Sequence, residues 1–158
     1  MTRLPRRELP DGLYHAAGRA VADTLLFHDA DDYKAFLLIL LEVVDRCSWS
    51  VHAFCFMGTH YHLVVETTQP QLSTGMKRLN ERYARAYNDR YARQGHVFGD
   101  RFAARVVESE AHYREACRYV VLNPVSAGLC RDATEWPWTW CDFGVENAVD
   151  DVRVPAAS

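Results

Sequence analysis

His60 and His62 stand one residue apart in "THYHLVVE", Thr59 to Glu66, a β-branched stretch that reads as a strand. Side chains alternate across a strand, so His60, His62, Val64 and Glu66 point one way and Tyr61, Leu63 and Val65 the other. With Tyr61, Leu63 and Val65 supplying core, both imidazoles leave the same sheet face at a separation that suits one chelated metal ion. An ordinary hydrogen-bonded pair is the competing reading. Further along, "CRYVVLNP" places Tyr119 and Asn123 four residues apart, so on a helix a phenol lies one turn from a carboxamide. At about 100° per residue, Tyr113, Cys117, Val120 and Val121 form a buried stripe, and His112, Tyr119 and Asn123 fall together on another. A core role for the tyrosine and a helix-terminating role for the asparagine stay open at this point.

The elements that must position these residues follow from periodicity. A short strand is expected over Gly12 to Ala17. Tyr33, Phe36, Leu37, Leu40, Leu41 and Val44 then mark one face of a helix whose start carries Asp29, Asp31 and Asp32, suited to the positive end of the helix dipole. "SWSVHAFCFM" and "THYHLVVE" are β-rich runs joined by Gly58 and Thr59 as a tight hairpin. A second helix runs from about Leu72 to Tyr91, with Met76, Leu79, Tyr83, Ala86 and Tyr87 as its apolar stripe. Its Lys77, Arg78, Arg82 and Arg85 lie mostly off that stripe, as a solvated face or as a DNA-backbone contact. A strand around Ala104 to Glu108 follows. A third helix starts at the N-cap Ser109 and is expected to end near Asn123, because Pro124 disfavours helical geometry in the residue before it. The order predicts an α+β fold: a ferredoxin-like βαββαβ antiparallel sheet with helices on one face, plus an additional C-terminal tyrosine-bearing helix.

The chain has 158 residues, 49% hydrophobic and 25% charged, enough for one globular domain with a real core. That domain is expected over 1–143, with 144–158 as an acidic, flexible tail. No run approaches the roughly 18 apolar residues of a membrane span, and "MTRLPRRELP" lacks the apolar core of a secretory signal, so a cytoplasmic, non-membrane protein is expected. Five cysteines with no CxxC spacing read as reduced thiols. The net charge of −3 conceals a basic middle: Ser73 to Arg118 carries ten Lys and Arg against six Asp and Glu. Arg101 and Arg105 extend the basic set of the second helix as candidate DNA contacts, and Phe98 and Phe102 suit either base stacking or core.

"MGTHYHLVVET", "MKRLNERYARAYN", "GHVFGDRF" and "CRYVVLNPVSAGL" followed by "WPW" occur in an order and at spacings that resemble the single-tyrosine HUH transposases, above all their REP-associated tyrosine transposase branch. The likeness extends from about Leu4 to Trp140. It implies that His60 and His62 are the histidine pair that binds Mg2+ or Mn2+, that Asn123 is the third metal-ligating side chain, and that Tyr119 is the nucleophile. The partner implied is single-stranded DNA with imperfect hairpins, cleaved to a 5′-phosphotyrosine and a free 3′-hydroxyl and rejoined by reversal. Tyr14, His15 and Arg19 match the family's opening strand, where guide-sequence contacts are made. Both a monomer and a homodimer are compatible with the wider group.

The chemistry is coherent with that resemblance. A phenol has a pKa of about 10 and attacks poorly at neutral pH unless its proton has somewhere to go or the electrophile is activated. A divalent cation on two imidazoles and a carboxamide keeps positions open for phosphate oxygens. The sequence departs from the family at "RAVAD" after the first strand, at Ser126, at Ala103 and at Gly99 and Asp100. These positions touch DNA contacts more than the catalytic set. The alternatives are a non-catalytic, repurposed single-stranded nucleic-acid-binding module, and a metallohydrolase of small phosphate esters whose activity would ignore Tyr119.

Overall fold

The computed structural model describes residues 12–22 and 24–150. Its elements run β1 (Gly12–Arg19), α1 (Ala30–Arg46), β2 (Ser50–Phe56), β3 (His60–Thr67), α2 (Gln69–Arg90), β4 (Ala103–Val106), α3 (Glu110–Ser126), β5 (Thr139–Cys141) and α4 (Val145–Asp150). The five strands form one antiparallel sheet in the order β4-β1-β3-β2-β5. The α+β expectation and the βαββαβ element order therefore hold, with β5 added at one edge.

The sheet separates two apolar layers. Tyr14 and Ala16 of β1, Tyr61, Leu63 and Val65 of β3 and Ala104 of β4 pack against Phe36, Leu40 and Val43 of α1 and Leu72, Met76, Leu79 and Tyr83 of α2. On the reverse face Ala53, Cys55, Val64 and Cys141 meet Ala116, Cys117, Val120 and Val121 of α3 and Ala148 of α4. The alternation expected for "THYHLVVE" is thus observed, and its histidine face is the face that α3 covers. β1 approaches β3 closely because residue 18 is glycine: a Cβ there would lie 2.5 Å from the Tyr61 ring.

Local chemistry starts α1 and α3. Asp29 accepts the backbone N–H of Asp32 at 3.1 Å, and Ser109 accepts that of His112 at 3.0 Å. Arg90 from the end of α2 bridges Asp29 at 2.6 Å and the buried Asp32 at 2.5 Å, locking the two helices to each other. Gly58 and Thr59 close the hairpin, with Met57 N–H donating to the His60 carbonyl at 2.8 Å.

Three expectations need correction, and one left open, for Phe98 and Phe102, is decided. Leu41 is 55% exposed, and Val43 takes its place in the core, because the buried stripe is the narrow line Phe36, Leu40, Val43. Phe102 is core, and Phe98 leans on the Tyr61 and Tyr83 rings. α3 continues through Pro124 to Ser126. A proline in the last turn removes one N–H donor, while Pro124 itself is buried and its carbonyl accepts from Leu129 at 2.9 Å past Gly128 at φ +75°. Lastly, part of the segment expected as a tail is structured: α4 buries Ala148 against the α3 layer. Residues 151–158 of that expected tail lie outside the described residues.

The stretch after α3 returns to the sheet on tryptophans. Trp136 Nε1–H donates to the Phe56 carbonyl at 2.9 Å, Trp138 stacks on Tyr33 at 4.7 Å and 7°, and Trp140 lies over Phe54 at 6.0 Å. All five cysteines are free thiols, and burial pushes Cys55 up to about 12.

Candidate active site

β3 and α3 bring the histidine pair and the tyrosine together. His60 and His62 are half-buried, with ring centroids 5.1 Å apart and planes at 90°. Tyr119 leaves α3 at 56% exposure, and its ring lies edge-on to His62 with centroids 5.5 Å apart. Asn123, one turn on, hydrogen-bonds the His60 side chain and donates from Nδ2 to the Tyr119 carbonyl at 3.5 Å. His60, His62, Tyr119 and Asn123 therefore converge, on a face separate from the buried stripe of α3.

β1 adds a member that the sequence placed elsewhere. His15 and His62 are not directly paired: the register sets Ala17 opposite His62 and His15 opposite Val64, so the two imidazoles are diagonal neighbours on one face. His15 Nε2 lies 3.1 Å from His62 Nδ1, and the His15 ring meets Tyr119 edge-on at 5.6 Å. Small side chains around them leave space. A cleft of about 310 Å³ is lined by His15, Ala17, Arg105, His112, Glu115 and Tyr119, among others. A second, of about 210 Å³, is lined by Arg19, His60, Asp100 and Arg101, with Ala17, His62 and Ala103 shared between the two.

Burial and positive neighbours keep the imidazoles uncharged. Burial pushes His62 down to about 3, with His15, His60, Arg19 and Arg105 adding to it. Burial, then Arg105 and His112, lowers His15 to about 4. His60 is lowered by burial and Arg19 against the opposing hydrogen bond from Asn123. All three are neutral at pH 7 and carry lone pairs. The Nδ1 of His60 faces Thr59 Oγ1 at 3.0 Å and that of His62 faces His15, so Nε2 of His62 is left for a further partner, while the His60 ring also bonds to Asn123. Among the described residues no three His, Cys, Asp or Glu side chains form a metal cage, so the donor set offered is two imidazoles and one carboxamide. Neutral nitrogens beside an amide fit a divalent cation that keeps open positions.

His112 is oriented by backbone. The Glu108 N–H donates to its Nδ1 at 3.2 Å, so a neutral His112 carries its proton on Nε2 and is a donor from the wall of the larger cleft.

The remaining DNA-contact expectations divide by sheet face. Arg19, Arg101 and Arg105 line the two clefts. Tyr14 does not reach the surface: at 0% exposure it belongs to the α1–α2 core. Lys77, Arg78, Arg82 and Arg85 sit on α2, across the sheet from the histidines, and the structure does not bring them to the site. Arg78 and Arg82 both bond to Glu42 of α1, Arg78 at 2.8 Å, and Lys77 lies 4.0 Å from Glu81.

This antiparallel α+β domain, in which a histidine pair faces a helix-borne tyrosine, has recognisable kin. Residues 14–123 match the model of the IS200-like transposases, "Transposase IS200 like", and the chain belongs to that family of DNA-processing proteins. The matched span begins in β1 and ends at Asn123. A REP-associated tyrosine transposase solved bound to a REP hairpin shares the fold, with a TM-score of 0.74 at 15% identity over 88% of this chain and 82% of that one. A transposase candidate from Deinococcus radiodurans R1 aligns over 73% of this chain and 92% of its own at a TM-score of 0.49 and 12% identity. No curated protein matches. No described helix is long and apolar enough to cross a membrane.

Proposed function

We propose that this chain cuts and rejoins single-stranded DNA beside imperfect hairpins, with Tyr119 as nucleophile and with Mg2+ or Mn2+ held by His60, His62 and Asn123. The observation that carries this reading is the meeting of an exposed phenol with the histidine pair from a separate element, ring edge to ring face at 5.5 Å. When bound, the cation would polarise the scissile phosphate and offset charge developing on its oxygens, an effect typically worth several kcal/mol.

The chain's own residues do the rest. Tyr119 Oη forms a bond to phosphorus as the bond from phosphorus to the 3′ oxygen breaks. The phenolic proton passes to water, and the leaving oxygen takes one up to become a 3′-hydroxyl. The product is a 5′-phosphotyrosine, and attack by a 3′-hydroxyl reverses the step and restores the phenol. One phosphodiester replaces another, so no nucleotide need be hydrolysed. Arg19 and Arg101 on one side of His62, and Arg105 with the Nε2–H of His112 on the other, offer positive charge and donors to the phosphates of a strand crossing the site. The fold shared with a tyrosine transposase bound to a REP hairpin supports placing this chain in the REP-associated branch and choosing a hairpin substrate.

Incubation with labelled single-stranded hairpin DNA and Mn2+ tests the proposal. A protein–DNA adduct that survives denaturation is expected, and Tyr119→Phe should abolish it. An adduct of undiminished yield in Tyr119→Phe would overturn the assignment of the nucleophile.

A further inference from the structure

His15 was expected to contact DNA, yet its side chain is committed inside the site. Three observations define that commitment. The β1–β3 register puts His15 diagonally across from His62 on the α3 face, with only the small Ala17 directly opposite His62. The two rings meet nitrogen to nitrogen at 3.1 Å, with centroids 5.2 Å apart and planes tilted by 47°. The His15 ring also abuts Tyr119 edge-on.

A contact between two neutral imidazole nitrogens joins one N–H to one lone pair, so it has two arrangements. Either His62 Nδ1–H donates to His15 Nε2, or His15 Nε2–H donates to His62 Nδ1. In the first, His62 keeps a bare Nε2. In the second, both nitrogens of His62 are spent, one as an acceptor and the other in carrying the ring proton. Metal-binding histidines characteristically donate their second nitrogen's proton to a neighbouring acceptor, which fixes tautomer and ring orientation.

We propose that His15 is a positioning residue for the histidine pair: its Nε2 accepts the Nδ1–H of His62 and holds that ring with Nε2 bare, as a ligand for a divalent cation. The inference rests on the metal set proposed above. It assigns β1 a part in building the site and removes His15 from the DNA-reading surface. Through its edge contact with Tyr119, the same ring sets the gap between the nucleophile's side chain and His62.

Two measurements on the full chain test it. In the metal-free protein labelled with 15N-histidine, long-range 1H–15N spectra at neutral pH should show His62 protonated at Nδ1. An Nε2-protonated His62 overturns the proposal whatever the metal does. Second, Mn2+ alone is titrated and its binding followed by electron paramagnetic resonance. His15→Ala should weaken binding by about 10- to 100-fold, the usual cost of losing an outer partner of a ligating histidine. His15→Gln, whose amide oxygen can accept the same proton, should recover most of that loss. Unchanged Mn2+ affinity in a folded His15→Ala, coupled with weakened hairpin binding in chelator, would return His15 to DNA contact and overturn the proposal. If His15→Ala does not fold, the glutamine variant and the wild-type tautomer still decide. Failure of the wild-type protein to bind Mn2+ would sink the proposed metal set, while the His62 tautomer would still report the donor in the His15–His62 contact.

Discussion

At the residue scale, the site keeps three imidazoles close together by keeping them neutral. His62 and His15 have folded pKa values of about 3 and about 4, below the unfolded value of about 6.5. The unfolded chain therefore binds these protons more tightly. The pair's contribution to stability is fully present above pH 6.5 and is lost as pH falls, down to about 4 for His15 and about 3 for His62, at about 1.4 kcal/mol per pH unit for each proton taken up on unfolding. Urea midpoints of the metal-free protein should fall between pH 6.5 and 4.5, and the double variant His15→Gln, His62→Gln should flatten that fall. An unaltered slope would show that burial does not hold these rings neutral. His52 has the opposite sign: burial alone would lower its pKa, but hydrogen bonds to Asp142 at 2.6 Å and Glu66 at 3.1 Å outweigh it and raise it, so its contribution is present at low pH and lost above the raised pKa. The histidine pair and the Tyr119–Asn123 turn were legible in sequence, because each depends on a local period of two or of about 3.6. His15 was not, since nothing local states which residue of another strand it meets.

At the element scale, the site exists because β1, β3 and α3 meet where β1 and β4 are small. Ala17 pairs with His62 on one side and Ala103 on the other, and both alanines line both clefts. Ala17→Leu should fill that space and cut adduct formation at least tenfold, while leaving the thermal unfolding midpoint within a few degrees, since the position is only half-buried. Unchanged adduct yield would mean that the clefts are not the strand's path. Helix boundaries were less legible than helix faces. Pro124 forbids one hydrogen bond, but it does so in the last turn, where its ring is buried. α4 was missed because its apolar spacing, Val145, Ala148 and Val149, spans less than two turns, too short to stand out beside the acidic residues around it. The start of α3 is fastened by a contact that no spacing reveals: the Tyr113 hydroxyl donates to Asp142 at 3.1 Å, and Asp142 in turn holds His52 on β2.

At the scale of the whole molecule, the two faces of the sheet have different work. Basic residues were expected to act together, yet which face a helix covers is set by its crossover, and α2 lies opposite the site. DNA affinity measured against salt separates the groups. Arg19→Ala and Arg105→Ala should each lower the slope of log affinity against log salt by about 0.7, the value for one phosphate contact on a single strand. Arg78→Ala with Arg82→Ala should leave the slope unchanged and act on stability alone, by leaving Glu42 with Arg46 as its remaining partner. A reduced slope in that second pair would extend the DNA path around to α2. The return of the chain from α3 has a consequence of its own. Trp136 and Trp138 fasten that return to β2 and α1, which helps keep α3 against the sheet face that carries the imidazoles. Under the proposed chemistry each such site captures one severed end at a time, so sealing two ends to each other takes either two sites or two consecutive rounds at one.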